Sequence, residues 1–366
     1  MADRFDVLIV GAGIAGSSVA FELAPHCDVV LLEREAQPDY HSTGRSAAML
    51  STTYGAPPVR ALARASYEFF AAPPPGFSET ALLSPRGMLH LARQDQLAAL
   101  DAAHSAAVRR LDRAAVCDLV PLLDPAYVAS GLLEADAMAI DVAALHQGYL
   151  RGLRRQGRLV TDAEVTAIAR TAAGWRIETT AGGFRAGVLV DAAGAWADGL
   201  AGMAGVAPIG LVPKRRTAIL IEPPDGLDPS PWPMVIDLDE RFYMKPEGKM
   251  LLVSPADETP VPPCDVQPEE IDVAHAVARY EEVTGRTVRR IGHRWAGLRS
   301  FVADHLPVAG PDPDVPDFVW LAGQGGAGIM TAPALARIAA AQIIAGAPPP
   351  DLDLDPATVG VARLRR

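Results

Sequence analysis

The sequence predicts an α/β fold in which a Rossmann-like, mainly parallel sheet is joined to a second, largely antiparallel α+β layer. Three observations carry this. An apolar strand runs into a glycine turn and a helix at the start of the chain. A second strand, glycine turn and helix lie over residues 318–345, and short period-two segments joined by Pro, Gly and Asp fill much of the space between. The 366 residues are enough for two domains and a large core. A hydrophobic fraction of 49% with 21% charged residues is ordinary for a globular protein. The net charge of −11 argues against a nucleic-acid or anionic-membrane partner. No signal peptide is expected, because charges at Asp3, Arg4 and Asp6 precede the first apolar run and glycines interrupt it. No apolar stretch approaches the roughly 20 residues of a spanning helix. Cys27, Cys117 and Cys264 are far apart and lack metal-ligand spacing, so reduced thiols, no metal and a cytoplasmic location are expected.

Residues 6–10 read DVLIV, a strand suited to burial on both faces. Gly11-Ala12-Gly13-Ile14-Ala15-Gly16 follows, then an amphipathic helix to about Leu23, stopped by Pro25. A second strand over 29–32 ends at Glu33, 22 positions beyond Gly11. Strand, glycine turn, helix, strand and acid in that order make a dinucleotide-binding βαβ unit. Gly11 serves the tight turn, Gly13 the approach of a pyrophosphate, and Gly16 the packing of helix on strand. The helix N-terminus offers free N–H groups to phosphate, and Glu33 can accept from both ribose hydroxyls.

Further along, residues 37–48 form a polar loop containing HSTGRSAA, either a ligand-hugging loop or a surface loop with a helix cap. Pro57 and Pro58 open a helix to about Phe70. A strand pair is expected over 82–92 around Pro85-Arg86-Gly87, and helix in two pieces over 96–122. Asp141 caps a helix ending near Gly157. His104 and His146 are expected to be structural. A β-meander (159–168, 174–180, 184–186) leads to an apolar strand over 188–191 and a glycine turn at Ala193-Gly194. Short strands over 214–221, 234–238, 242–245 and 250–254 form the second sheet, followed by a helix over 268–284. The last strand, 318–322, enters the turn GQGGAG and an Ala-rich helix. Two glycine turns some 300 residues apart suit a ligand larger than a mononucleotide.

Together with LEREAQPDYHSTGRSAA, ALHQGYLRG, PKRR, FYMKP and WAGLRSFVAD, these features resemble the D-amino-acid oxidase superfamily of FAD-dependent amine oxidoreductases. Within it the longest matches are to bacterial D-arginine dehydrogenases. The resemblance implies a discontinuous FAD-binding domain (1–56, 139–207 and 296–366) and a substrate-binding domain (57–138 and 208–295). It implies that Gly11, Gly13, Ile14, Ala15 and Gly16 bracket the pyrophosphate, with Glu33 at the ribose and Arg34 near the adenine. Ser42, Thr43, Arg45, Ser46, Ala47 and Ala48 would follow the flavin side, and Val165 would meet the adenine. Ala193 and Gly194 would line the path, with Gly325, Gly326, Gly328 and Ile329 at the isoalloxazine. The late turn holds no Cys or His, so FAD is expected to be non-covalent.

The resemblance also makes Arg216 and Arg299 the clamp for a substrate carboxylate, helped by Tyr243 and Tyr54. A guanidinium is a planar, permanently charged fork that matches a carboxylate. On the residues alone, a surface salt bridge for Arg216 and an interdomain ion pair for Arg299 stay open. Met49, Gly87, Met88, Ala327 and Met330 fall at side-chain pocket positions and replace polar residues of the D-arginine enzymes, including a glutamate. The expected pocket is therefore apolar and roomier. The implied reaction is oxidative deamination of an α-amino acid, of D configuration with a neutral or apolar side chain, by hydride transfer from Cα to flavin N5. A glycine or sarcosine-type amine oxidase and a non-catalytic flavin protein are the alternatives. Oxygen, quinone or another acceptor and the oligomeric state are not specified by any motif.

Overall fold

A computed structural model describes residues 3–365. Its first sheet has eight strands. Asp3–Val10 lies at the centre, parallel to Val29–Leu32 on one side and to Gly182–Asp191 on the other. Arg158–Val160 continues the parallel edge. Alternate residues of the first strand face opposite layers, as the pleat requires. Val7 and Ile9 pack with Val19, Leu23, Leu150, Leu335 and Ile338 on the helical side. Leu8 packs with Trp175, Phe184, Leu189 and Trp320 on the other.

The strand Gly182–Asp191 changes neighbour along its length. Residues 182–186 pair antiparallel with Gly174–Thr179, whereas residues 189–191 pair parallel with Phe318–Ala322. The sequence pattern divides this strand at Gly187. Pairing with Asp3–Val10 along its opposite edge keeps it continuous.

The helix Ile14–Leu23 is buried almost all round, with eight of its ten residues inside, and so is not amphipathic as expected. It lies between the sheet and two further helices, Val142–Leu153 and Gly328–Ala345, which bury its remaining faces. Ser17 and Ser18 tolerate that burial because their hydroxyls donate to Ile14 O and Ala15 O. Gly328–Ala345 is 18 residues long and, by length and composition, apolar enough to cross a membrane, which the sequence reading did not anticipate. It is 61% buried within the protein and supplies Leu335, Ile338 and Ala339 to the core.

The second sheet has nine strands. Val212–Ile221 pairs on one side with Ile291–Phe301 and on the other with Thr259–Pro260 and Met250–Ser254; Tyr243–Glu247, Met234–Asp237, Met88–Ala92, Ser130–Glu134 and Arg109–Asp112 follow in order. All these pairings are antiparallel except that of Met234–Asp237 with Met88–Ala92. Period two divides its faces. Ile219, Ile221, Val235, Met244, Leu251 and Val253 pack against Val273, Ala276, Tyr280 and Val283 of the helix Glu270–Thr284. The opposite face, carrying Arg216, Ala218, Tyr243, Leu252 and Arg299, lines a cavity.

Two local expectations are corrected. Residues 82–92 are no hairpin: Leu83–Pro85 joins a three-stranded sheet with Met49–Leu50 and Met138–Ile140, while Met88–Ala92 enters the nine-stranded sheet. Residues 96–122 are not helical throughout, since the strand Arg109–Asp112 separates Leu97–Ala103 from Arg113–Leu119. Ile291–Phe301 pairs with Val212–Ile221 along its length and spans residue 296, where the last FAD-binding segment is expected to begin.

Candidate active site

A cavity of about 480 Å³ runs from the first glycine turn to the second sheet. Its floor at one end is Gly11, Gly13, Ile14 and Ala15. Gly11 has φ +98°, and a Cβ there would stand 2.5 Å from Ala192 O. A Cβ on Gly16 would stand 1.8 Å from Gly11 O, so Gly16 shapes the turn by packing and does not line the cavity. Glu33 is 8% exposed; its two carboxylate oxygens accept from Ala12 N (2.8 Å) and Glu35 N (3.0 Å). Burial pushes this carboxyl above its usual range, against the pull of those two N–H groups. With one lone pair on each oxygen still open to the cavity, the same carboxylate can accept two vicinal hydroxyls. Thr43 Oγ1 accepts from Ile14 N at 2.9 Å, so the polar loop closes directly over the helix N-terminus.

Arg34, Ser42, Ser46, Ala47, Val165, Ala193 and Gly194 also line this cavity. The Arg34 guanidinium stacks 4.2 Å over Trp196, and His41 packs tilted against the same indole, a flat wall that the sequence reading missed. Arg45 lines the cavity too, but its guanidinium is committed elsewhere: it donates to Tyr40 O, Val266 O, Ala296 O and Asp265. Its visible work is to tie the loop to Ile291–Phe301. Ser42 adds a bond from Oγ to Leu298 O at 2.7 Å. His146 is buried and bonds Ala12 O through Nε2 at 2.7 Å, bracing the glycine turn from behind. Gly325, Gly326, Gly328 and Ile329 form the roof of the far end. Ala48 lies beyond the cavity, in the adjoining recess.

At that far end Arg216, Tyr243 and Arg299 converge. Arg216 pairs with Gly297 across the strands and Lys214 with Arg299, so the two arginines are diagonal neighbours on one face. Their guanidinium carbons stand 6.0 Å and 5.9 Å from the Tyr243 ring centre, and Arg299 Nη2 donates to the Tyr243 hydroxyl at 3.5 Å. Arg216 is 8% exposed; its Nε donates to Asp257 O and its Nη2 to Glu258 Oε1 at 2.9 Å. The ion pair left open for Arg216 therefore exists, while Arg299 has no carboxylate partner among the described residues. Burial and the nearby Arg299 charge hold the Arg216 guanidinium below its ordinary pKa. Burial would push the Tyr243 phenol up, but Arg299 and Arg216 outweigh it and hold the group below its usual value.

Beside this pair opens a recess of about 60 Å³ walled by Met49, Met88, Met234, Ile236 and Met330. Its methionine wall is apolar, but Ser46, Ser51, Glu240 and the two arginines line it as well, so it is neither wholly apolar nor roomy. Gly87 and Ala327 do not line it. Gly87, at φ +73°, turns toward Pro233, and Ala327 packs with Ile14, Leu50 and Ile329 at the start of the last helix. Tyr54 and Glu240 stand on the rim, with Tyr54 Oη 3.4 Å from Glu240 Oε2. Burial, then Glu240, raises the Tyr54 phenol. Glu240 carries φ +55° in a turn and is exposed. An acid three residues before Tyr243 was visible in the sequence, but nothing there indicated that the turn would aim it at the recess.

A family model described as DAO, FAD dependent oxidoreductase, matches residues 6–342. Mitochondrial dimethylglycine dehydrogenase of Homo sapiens is 27% identical over 98% of this chain and 45% of its own length, and the Rattus norvegicus protein gives the same figures. The chain thus spans about half the length of the curated relatives it matches. Glycine oxidase from Geobacillus kaustophilus superimposes with a TM-score of 0.86 at 21% identity, covering 99% of both chains. L-proline dehydrogenase from P. horikoshii gives 0.87 at 19% identity, covering 100% of this chain and 99% of its own. The two-sheet architecture is common to all of these structures.

Proposed function

Because the chain belongs to the DAO family of FAD-dependent oxidoreductases, we propose that it oxidises the carbon–nitrogen bond of a small α-amino acid. Two electrons and two protons leave the substrate, and water then hydrolyses the imino acid to a 2-oxo acid and ammonia. FAD is the cofactor; Gly11, Gly13, Glu33, Thr43, Trp196 and the second glycine turn are the groups that would hold it, and residues 323–330 offer neither Cys nor His for a covalent link. When bound, it supplies the two-electron acceptor. The observation that carries the proposal is the convergence of Arg216, Tyr243 and Arg299 where the long cavity meets the methionine-walled recess. Arg299 and the free edge of Arg216 receive the carboxylate. The methionine walls receive the side chain, and Tyr54 Oη and Glu240 can accept N–H groups of the amine. These contacts fix Cα between the clamp and the roof formed by Gly325 and Gly326.

An apolar cavity of about 150 Å³ holds a benzene ring, so a recess of about 60 Å³ suits a side chain of one to a few carbons. A side chain as long as that of D-arginine exceeds such a recess, which speaks against it even though Glu240 stands at the rim. The D configuration rests on the sequence resemblance. The recess size also favours a second reading, glycine or an N-methyl glycine as substrate. Anaerobic bleaching of the yellow holoenzyme separates them: short apolar D-amino acids are expected to bleach it, D-phenylalanine and D-arginine to do so slowly, and L-enantiomers not at all. Faster bleaching by glycine or sarcosine establishes the second reading, and a flavin that no amine reduces overturns both.

The Tyr243 environment makes a pH prediction. A phenol held low by two cations ionises below the range of free tyrosine, and its anion then repels a carboxylate beside those cations. Binding of propionate, a carboxylate without an amine, is expected to weaken on the alkaline side. Tyr243→Phe should abolish that limb, and Arg299→Met should move it to higher pH because a lowering charge is lost. A limb unchanged in Tyr243→Phe assigns it to another group.

A further inference from the structure

The loop of residues 51–56 carries Tyr54 to the rim of the recess and has no helix or strand of its own. It joins Met49–Leu50 to the helix Pro57–Ala71, and Gly55 at φ +83° follows Tyr54. The start of this loop is held by a single carboxylate. Glu134, 3% exposed at the end of Ser130–Glu134, accepts from Ser51 Oγ (2.5 Å) and Thr53 Oγ1 (2.6 Å) on Oε2. Its Oε1 accepts from Thr52 N (2.9 Å) and Thr52 Oγ1 (3.3 Å). Three consecutive loop residues are thus bound by one side chain that has no cationic partner among the described residues. A buried carboxylate is costly unless its bonds are all made, and here every one of them goes to this loop.

The bonds also set a direction. A hydroxyl has one proton. Because Ser51 Oγ gives its proton to Glu134, its lone pairs face the other way, where they accept from Tyr54 N (3.0 Å) and Thr53 N (3.3 Å). The strand bearing Glu134 also pairs Glu134 with Met88, a wall of the recess. One side chain therefore registers the Tyr54 backbone against the wall that the substrate side chain touches.

We propose that Glu134 is the positioning residue for Tyr54, acting through Ser51 to hold the substrate-facing tyrosine over the recess. This rests on the reading of the recess as the substrate site. The test is a double-mutant cycle on the holoenzyme, using the fastest reductant among D-alanine, D-valine, glycine and sarcosine under anaerobic conditions. Tyr54→Ala is expected to weaken apparent substrate binding about thirtyfold and Glu134→Gln about tenfold, with limiting reduction rates within about threefold of the parent. In the double variant Glu134→Gln should add nothing, because no side chain remains to be positioned. Multiplying effects overturn the proposal while leaving the site reading intact. A Tyr54→Ala enzyme with unchanged binding overturns the site reading, and the proposal with it. If Glu134→Gln does not yield a flavin-loaded protein, Ser51→Ala takes its place in the cycle, since it breaks the same relay and leaves Glu134 bonded to Thr52 and Thr53.

Discussion

Replacing Arg299 by methionine is expected to lower kcat/KM for the amino-acid substrate about a thousandfold, ~4 kcal/mol, as two charge-assisted hydrogen bonds are lost. Arg299 is the clamp residue whose removal isolates this effect. Among the described residues its guanidinium makes only the long bond to Tyr243 and has no carboxylate partner, so little else depends on it. The methionine stem keeps the counterpart of Cδ, 3.8 Å from the Cβ position of Gly326, and removes Nη1, which lies 3.0 Å from it. Flavin content and thermal stability should therefore stay close to the parent. Arg216 behaves differently: removing it leaves Asp257 O and Glu258 Oε1 without their bond, with only Lys214 still on Glu258 Oε2, and should cost stability as well as activity. Arg299→Lys should recover only part of the rate, because a point charge does not reproduce the fork. Stopped-flow flavin reduction reads all three, and an Arg299→Met enzyme that is reduced at the parent rate removes the clamp from the reaction.

The second large effect belongs to the glycine turn. Gly11→Ala should give a colourless protein, destabilised by about 3 kcal/mol or more, from a strained φ combined with a backbone clash. The added Cβ would meet Ala192 O at 2.5 Å with φ fixed at +98°, and neither backbone segment can retreat without breaking the pairing of Asp3–Val10 with Gly182–Asp191. Gly202→Ala is the control. It lies in the helix Ala197–Met203 with open space at its Cβ position, and should retain the flavin. Differential scanning calorimetry and flavin absorbance of the two purified variants decide the matter.

The first βαβ unit was legible because its chemistry is local: each glycine and Glu33 serves a contact within a few dozen residues. The second sheet was legible by its period-two pattern, and Arg216, Tyr243 and Arg299 by family resemblance. What escaped was non-local. Arg109–Asp112 has one apolar residue in four, too little to mark a strand, and becomes one only because Ser130–Glu134 offers an edge. Gly182–Asp191 seemed two strands because its partner changes at Gly187. The helix Ile14–Leu23 seemed amphipathic because the two helices that cover it come more than a hundred residues later. Gly87 and Ala327 were assigned to the pocket from their sequence positions, but backbone direction turns one away and helix packing encloses the other. Glu134 and Glu240 bore no recognisable spacing, and their roles arise where separate elements meet.

The order of strands in the first sheet also governs how the chain can be made. Asp3–Val10 leaves the ribosome before the other strands of its sheet, yet one of its two sheet neighbours is Gly182–Asp191, and that strand's other parallel partner, Phe318–Ala322, comes later still. At ordinary synthesis rates of about 5–20 residues per second, the nascent Val7-Leu8-Ile9 run waits on the order of ten to forty seconds for that neighbour. During that interval a strand whose Val7-Leu8-Ile9 segment is destined for burial has one free edge, a template for pairing with other nascent chains. Slower initiation, lower temperature and abundant holdase chaperones should thus raise the recovered yield of yellow protein more than any change at the active site.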